Sequence, residues 1–199
     1  IETIHALQPD LIIANKEENV KEQIEELEKQ FPVWISDVNK LTDAYEMIEQ
    51  IGIISNKESK AKMLISHIKE NFSQLQHSSS NPQTIYLIWQ KPYMTVGGDT
   101  FIHSMIEAAG FQNIYANSTR YPEVTIEELK AKNPDLIILS SEPFPFNQKH
   151  IDELQVHLPT TKIVLADGEM FSLYGSRLIK ATAYFATVSE QTVRPQKQF

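Results

Sequence analysis

The sequence predicts an α/β protein of two similar lobes, each built around a parallel-rich sheet, with the lobes joined by one long helix. Helical and strand patterns alternate along the chain, and the longest helical pattern lies between two stretches that resemble each other. Residues 1–13 align without a gap with residues 126–138, and each copy runs short helix, Pro-Asp, apolar strand. Because such a repeat is too long for a solenoid unit, it indicates two lobes of one design. Paired α/β lobes usually bind a ligand in the cleft between them.

The first lobe is predicted over residues 1–54. Pro9 ends its first helix, and the apolar run after Asp10 is typical of a buried parallel strand. Gly52 is expected to end its last helix. The predicted helices cover 1–8, 19–30 and 41–51, and the predicted strands cover 10–14 and 33–35.

A connecting helix is predicted over residues 55–78. Its apolar residues recur at spacings of three and four, so one face of the helix is apolar. At a rise of 1.5 Å per residue it would span about 30 Å, enough to join two lobes as a rigid rod. The Ser-rich stretch before Pro82 then breaks the chain.

The second lobe is predicted over residues 79–188, followed by a polar tail over 189–199. Thr125 with Glu128 three residues later forms a capping box, which starts the repeated helix. The predicted strands cover 84–89, 114–115, 135–139 and 162–165, and the predicted helices cover 100–109, 126–132, 147–157 and 176–188.

Composition excludes several classes of protein. The 199 residues are 41% hydrophobic, which is enough for a core, and the net charge of −8 disfavours nucleic acid and anionic membranes as partners. No apolar run is long enough to span a bilayer. The absence of cysteine excludes disulfides and thiolate metal sites. Since Ile1 already lies inside the first repeat copy, we expect that an N-terminal segment is missing from this sequence.

Four ordered motifs resemble the helix-linked (class III) periplasmic substrate-binding proteins of ABC importers for cobalamin, ferric siderophores and haem. They are IETIHALQPDLIIA at 1–14, YMTVGGDTFI at 93–102, RYPEVTIEEL at 120–129 and DGEMFSLYGSRL at 167–178. Such proteins have a further strand-helix-strand unit before the first Pro-Asp strand, and this sequence lacks it. The resemblance implies a monomeric binding protein, periplasmic or lipid-anchored on the outer face, that delivers its ligand to a permease dimer.

The resemblance also implies that the protein has no catalytic residues, no resident metal and no cofactor of its own. Its ligand would be cobalamin, a ferric siderophore or haem.

The candidate ligand-binding residues lie where strands end, since ligands of open parallel sheets bind beyond the carboxyl ends of the strands. Aromatic rings there offer stiff apolar contact for a large flat ligand, although Phe144, Phe146 and the other aromatics could instead cap the core. Arginines such as Arg120 could pair with ligand carboxylates, and Arg177 could instead pair with Asp167 or Glu169. The ligand-binding candidates are Trp89, Tyr93, Tyr121, Phe171, Tyr174 and Arg177.

Enzyme functions have little support in the sequence. It contains no nucleophile elbow, zinc-protease motif or dinucleotide fingerprint, and its six histidines have no metal-ligand spacing. The Gly97-Gly98 turn resembles a phosphate cradle, but we interpret it as a turn before a helix capped at Thr100. Two alternatives stay open: a two-lobed nucleotide-sugar transferase, and a haem- or corrinoid-binding module without a transport role.

Glu2 and Glu127 occupy equivalent positions in the two repeat copies. Glu128 has a local role in the capping box, whereas Glu127 beside it has none. A homodimeric permease offers matching basic pockets across its two-fold axis, which could each receive one carboxylate. In the importers that this chain resembles, these positions are the docking glutamates. The alternative is that both residues only favour a helix N-terminus.

Overall fold

The computed structural model describes residues 1–75 and 81–193. Contacts divide the chain into two compact units, a smaller unit Ile1–Val38 and a larger unit Asn39–Phe199. The predicted lobe boundaries at 54 and 78 stay predictions for the whole protein. The predicted α/β class is confirmed, because both units contain parallel strands connected by helices.

The smaller unit alternates helices and strands. Its elements are α1 (Glu2–Leu7), β1 (Ile12–Asn15), α2 (Lys21–Glu28) and β2 (Val33–Ser36). Strands β1 and β2 pair in parallel, with Ile12 opposite Val33. Leu27 of α2 is almost completely buried, which places the apolar stripe of that helix inward.

The larger unit begins with two helices that pack on each other, α3 (Leu41–Ile54) and α4 (Glu58–Ser73). The prediction that Gly52 ends α3 was wrong, because the helix continues to Ile54. A Cβ atom at Gly52 would lie 2.5 Å from the Cβ of Ala61 on α4, so glycine is required for the close approach of the helices. The predicted connecting helix begins later than expected, at Glu58, and ends at Ser73; its residues 76–78 lie outside the described residues.

A four-stranded parallel sheet forms the centre of the larger unit, with the order β5-β3-β7-β8. Residues 136–139 of β7 are at most 1% exposed, as a central parallel strand covered on both faces requires. The strands are β3 (Gln83–Leu87), β4 (Tyr93–Met94), β5 (Gln112–Asn113), β6 (Glu123–Val124), β7 (Leu136–Ser140) and β8 (Lys162–Ala166). Strands β4 and β6 form a separate antiparallel pair that the sequence did not predict.

Further helices lie between and after these strands in the sequence. They are α5 (Phe101–Ala108), α6 (Ile126–Lys132), α7 (Gln148–His157), α8 (Glu169–Ser172) and α9 (Leu178–Val193). The predicted strand at 114–115 lies two residues earlier, as β5, and α9 extends five residues beyond its predicted end at 188. Of the predicted tail, 194–199 lie outside the described residues. Within the described ranges, no helix is long and apolar enough to cross a membrane.

The sequence repeat corresponds to a repeated structure. The order α1-β1-α2-β2 of the smaller unit matches α6-β7-α7-β8 of the larger unit. Helices α1 and α6 both end in a left-handed residue, Gln8 with φ 46° and Asn133 with φ 44°, directly before the Pro-Asp pair. The left-handed residue ends each helix, and proline prevents its continuation.

Candidate functional site

The strands of the four-stranded sheet end side by side, because β5, β3, β7 and β8 are parallel. We call this side of the sheet, with the loops 88–92, 114–122, 141–147 and 167–177 that follow the strands, the carboxyl edge. The ligand-binding candidates predicted from the sequence lie in or next to these loops. Open parallel sheets bind ligands at this position.

Trp89 and Phe144 form an aromatic pair at the carboxyl edge. Their ring centroids lie 5.6 Å apart in an edge-to-face arrangement, and 40% of Trp89 stays exposed. The backbone N–H of Phe144 donates a hydrogen bond to the carbonyl of Ile88, which ties the two loops together. Phe146 packs behind Phe144 at 4.7 Å and is only 6% exposed, so it caps the core. The Trp89 side chain is therefore partly exposed to solvent, and the Phe144 ring packs against it.

Tyr93 lies beside this pair on β4. Its partner in the antiparallel ladder is Val124, and its ring packs against the buried core of the larger unit. The Tyr93 hydroxyl accepts a hydrogen bond from Nε2 of Gln90 at 3.0 Å. Half-buried and held at both ends, this ring has a fixed orientation.

Tyr121 lies on the loop that precedes β6. The Arg120 guanidinium stands 5.5 Å from the centroid of the Tyr121 ring. The backbone N–H of Arg120, which has a φ of 54°, donates to Oδ1 of Asp99. This loop is held against residues 95–99, because the N–H of Thr95 donates to the carbonyl of Pro122 at 3.0 Å.

Gly97 and Gly98 make the contact between these loops possible. An added Cβ would lie 2.3 Å from the carbonyl oxygen of Ser118 at Gly97, and 2.0 Å from that of Ala116 at Gly98. Their N–H groups donate to the carbonyls of Arg120 and Ser118. Both donors are thus used within the chain, which agrees with the interpretation as a turn and not as a phosphate cradle.

Tyr174 lies in the loop between α8 and α9. Its ring meets Phe101 edge-to-face at a centroid distance of 5.2 Å, and Phe101 itself is 3% exposed. Leu173, the preceding residue, is 45% exposed. Leu173 was not among the residues predicted from the sequence, because a single leucine in a loop carries no pattern.

Phe171 does not belong to the candidate surface, and its assignment as a ligand-binding residue was wrong. The side chain is fully buried, 4.8 Å from Phe185 and 5.1 Å from Tyr86 by ring centroids. The short helix α8 turns this ring into the core. The same burial raises the pKa of the Tyr86 phenol well above its ordinary value.

Arg177 forms an ion pair with Glu169, and each side chain is 37% exposed. This is one of the two alternative partners that the sequence offered. The pairing compensates the guanidinium charge, so any contact between Arg177 and a ligand stays a prediction.

Glu142, which was not among the candidates predicted from the sequence, lies two residues after the end of β7. Its half-buried side chain accepts a hydrogen bond at Oε1 from the Ser172 hydroxyl at 2.7 Å. A Cβ at Gly168 would lie 2.6 Å from Cγ of Glu142 and 2.3 Å from Oγ of Ser140. Glycine at 168 therefore provides the space in which the Glu142 side chain lies.

The two predicted docking residues lie in the first turns of equivalent helices, Glu2 in α1 and Glu127 in α6, and both are exposed. The predicted capping box is confirmed: Thr125 Oγ1 accepts from the N–H of Glu128, whose carboxylate accepts from the N–H of Thr125. Glu127 takes no part in this box, so its carboxylate is not required for the cap.

Comparison with known proteins gives matches along most of the chain. Residues 1–162 match the model of a family described as periplasmic binding protein. A vitamin B12-binding protein of Vibrio parahaemolyticus is 31% identical over 146 residues, which cover 70% of this chain and 53% of that protein. An uncharacterised ABC transporter substrate-binding lipoprotein of Bacillus subtilis is 26% identical, covering 69% of this chain and 48% of that protein. The chain thus spans about half the length of these relatives.

Solved structures share the fold. The periplasmic vitamin B12-binding protein BtuF of Vibrio cholerae aligns with a TM-score of 0.73 and 19% identity, covering 99% of this chain and 79% of that chain. The periplasmic haem-binding protein HutB of the same species aligns with a TM-score of 0.75 and 19% identity, covering 94% and 79%. At such low identities the alignments show the common fold alone.

Proposed function

Because this chain belongs to the periplasmic binding protein family, we propose that it is an extracytoplasmic solute-binding protein. It captures an iron chelate or a corrinoid and delivers it to an ABC importer. The observation that carries this proposal is the set of aromatic side chains at the carboxyl edge, where Trp89 is 40% exposed and supported by Phe144.

Aromatic side chains suit a large rigid ligand. Each ring buries much apolar area and has few rotatable bonds to order on binding. Trp89, Tyr121 and Tyr174 lie on three different loops of the carboxyl edge, and each ring has a neighbour that fixes its orientation. A corrin or a porphyrin needs flat apolar contacts of this kind, as does a folded siderophore chelate.

The proposed partner is a permease dimer on the membrane. Glu2 and Glu127 each extend from the exposed first turn of an equivalent helix. Charge-assisted hydrogen bonds from arginines are strong, and a two-fold symmetric permease would supply them in matching pairs. The protein would act as a monomer, without catalysis or a cofactor of its own.

The nucleotide-sugar transferase is the weaker alternative. It requires donors for a diphosphate, whereas the N–H groups of Gly97 and Gly98 are already bonded to backbone carbonyls. Arg177, a candidate cation, is paired with Glu169. A binding module without a transport role differs from the proposal only in its lack of a permease.

Calorimetric titration of the full-length protein tests the proposal. The ligands are cyanocobalamin, a ferric hydroxamate siderophore and haem, with a uridine diphosphate sugar as the arm for the alternative. We expect saturable one-to-one binding of at least one chelate and no heat with the nucleotide-sugar. A folded protein that binds the nucleotide-sugar and none of the chelates would contradict the proposal.

A further inference from the structure

Glu142 is one of three carboxylates in the loops of the carboxyl edge, together with Asp167 and Glu169. Glu169 is paired with Arg177, and Oδ1 of Asp167 accepts the N–H of Glu169 at 3.1 Å. In the described part of the larger unit, residues 39–75 and 81–193, no basic side chain lies within ion-pair distance of Glu142. Its described hydrogen-bond partner is the Ser172 hydroxyl, which occupies Oε1.

The second oxygen of this carboxylate has no hydrogen-bond donor in the part of the chain that the structure describes. Oε2 stays accessible to water, because it is not among the buried side-chain atoms that lack a partner in the described residues, and a ligand can therefore reach it. The Ser172 hydroxyl fixes the carboxylate, and Gly168 leaves the room it occupies. Oε2 is thus a preorganised acceptor.

The surroundings of Glu142 place this acceptor on the surface that we assign to the ligand. Glu142 follows the central strand β7 and precedes Phe144, which supports Trp89. Ser172 precedes Leu173, which is 45% exposed, and Tyr174. A ligand that covers these apolar side chains would also remove water from the carboxylate.

The geometry points to Glu142 as a ligand-binding residue that accepts a hydrogen bond from an N–H group at the periphery of the ligand. A primary amide or a protonated amine has the required chemistry, whereas a ligand whose peripheral polar groups are carboxylates would be repelled. This inference rests on the proposed function, and it names the class of chelate: one whose periphery carries N–H donors.

Glu142→Gln tests the inference, because the amide keeps the size of the side chain and its contact with Ser172 but loses the charged acceptor. The probes are cyanocobalamin, which carries primary amides, ferrioxamine B, which carries a pendant ammonium group, and haem, whose peripheral polar groups are carboxylates. The matched control is Glu49→Gln on the exposed face of α3, which removes the same charge elsewhere in the larger unit.

We expect the parent protein to bind cyanocobalamin or ferrioxamine B more tightly than haem. Glu142→Gln should weaken binding of that preferred probe about tenfold, the usual order for a hydrogen bond to a charged group. Glu49→Gln should leave binding unchanged. Ser172→Ala frees the carboxylate to rotate and should weaken binding of the same probe by a smaller factor. In the Glu142→Gln background, Ser172→Ala should have little further effect on this binding.

Three outcomes would overturn the inference. Haem could bind most tightly, Glu142→Gln could bind the preferred probe like the parent, or Glu49→Gln could weaken it equally. Thermal unfolding checks that each variant is folded, and Glu142→Asp, which shortens the carboxylate, replaces Glu142→Gln if that variant is unfolded. If the parent protein binds none of the three probes, the proposed function is wrong, and the inference that rests on it is wrong as well.

Discussion

Tyr121 and Tyr174 are held by different means at the carboxyl edge. The Arg120 guanidinium lies over the Tyr121 ring, and Phe101 meets the edge of Tyr174 from the buried side. Both side chains are half-buried, so part of each side chain is accessible to solvent. Rings fixed in this way lose little side-chain entropy when a ligand binds.

Replacing Tyr121 or Tyr174 with Ala should weaken ligand binding by about 1–3 kcal/mol, because each variant removes a large apolar contact. Titration calorimetry measures the loss. Tyr45→Ala is the matched control, since Tyr45 packs under Lys69 on the α3–α4 pair. Affinities of both variants equal to that of the parent would show that the ligand binds elsewhere.

At single residues, the sequence predicts a position best where a strand ends. Trp89 follows β3 and is 40% exposed, and its contact with a ligand stays a prediction. The prediction failed at Phe171, because the orientation of a ring in a four-residue helix depends on tertiary packing. Glu142 was missed because its importance comes from Ser172, a residue distant in sequence.

At the scale of elements, the predictions from the sequence agree best with the structure at the ends of helices. Helix α6 begins at the predicted capping box and ends at Lys132, with Asn133 as its left-handed cap before Pro134. Local chemistry determines both ends, so a single sequence is sufficient to predict them. The glycine at position 52 within α3 is explained instead by its close contact with Ala61 of α4, a tertiary contact that no local pattern indicates.

Thr125→Ala should lower the free energy of unfolding by about 1 kcal/mol, because it removes the hydroxyl that caps α6. Urea unfolding of the full-length protein measures this change. Thr119→Ala, at an exposed loop position, is the control and should have little effect. Equal stabilities of the two variants would show that the capping box contributes nothing to the fold.

At the scale of the whole molecule, the repeat relates the two units. The order helix-strand-helix-strand and the left-handed helix ends recur in both, as the aligned sequences predicted. The small antiparallel pair β4–β6 was not predicted, because two-residue strands have no periodicity to detect. This pair positions Tyr93 and the loop that carries Tyr121. The positions of these two candidate residues were therefore the hardest to predict from the sequence.

Ligand uptake by cells that carry Glu2→Ala with Glu127→Ala is the most direct test of the central claim, that this chain delivers a ligand to a permease. The two carboxylates are exposed and lie outside the carboxyl edge, so ligand affinity should be unchanged while uptake is lost. Glu25→Ala with Asp152→Ala is the matched control, because these exposed carboxylates also occupy equivalent repeat positions, on α2 and α7. The control should transport normally. Normal uptake by the Glu2 and Glu127 double variant would contradict the docking assignment and the importer partner.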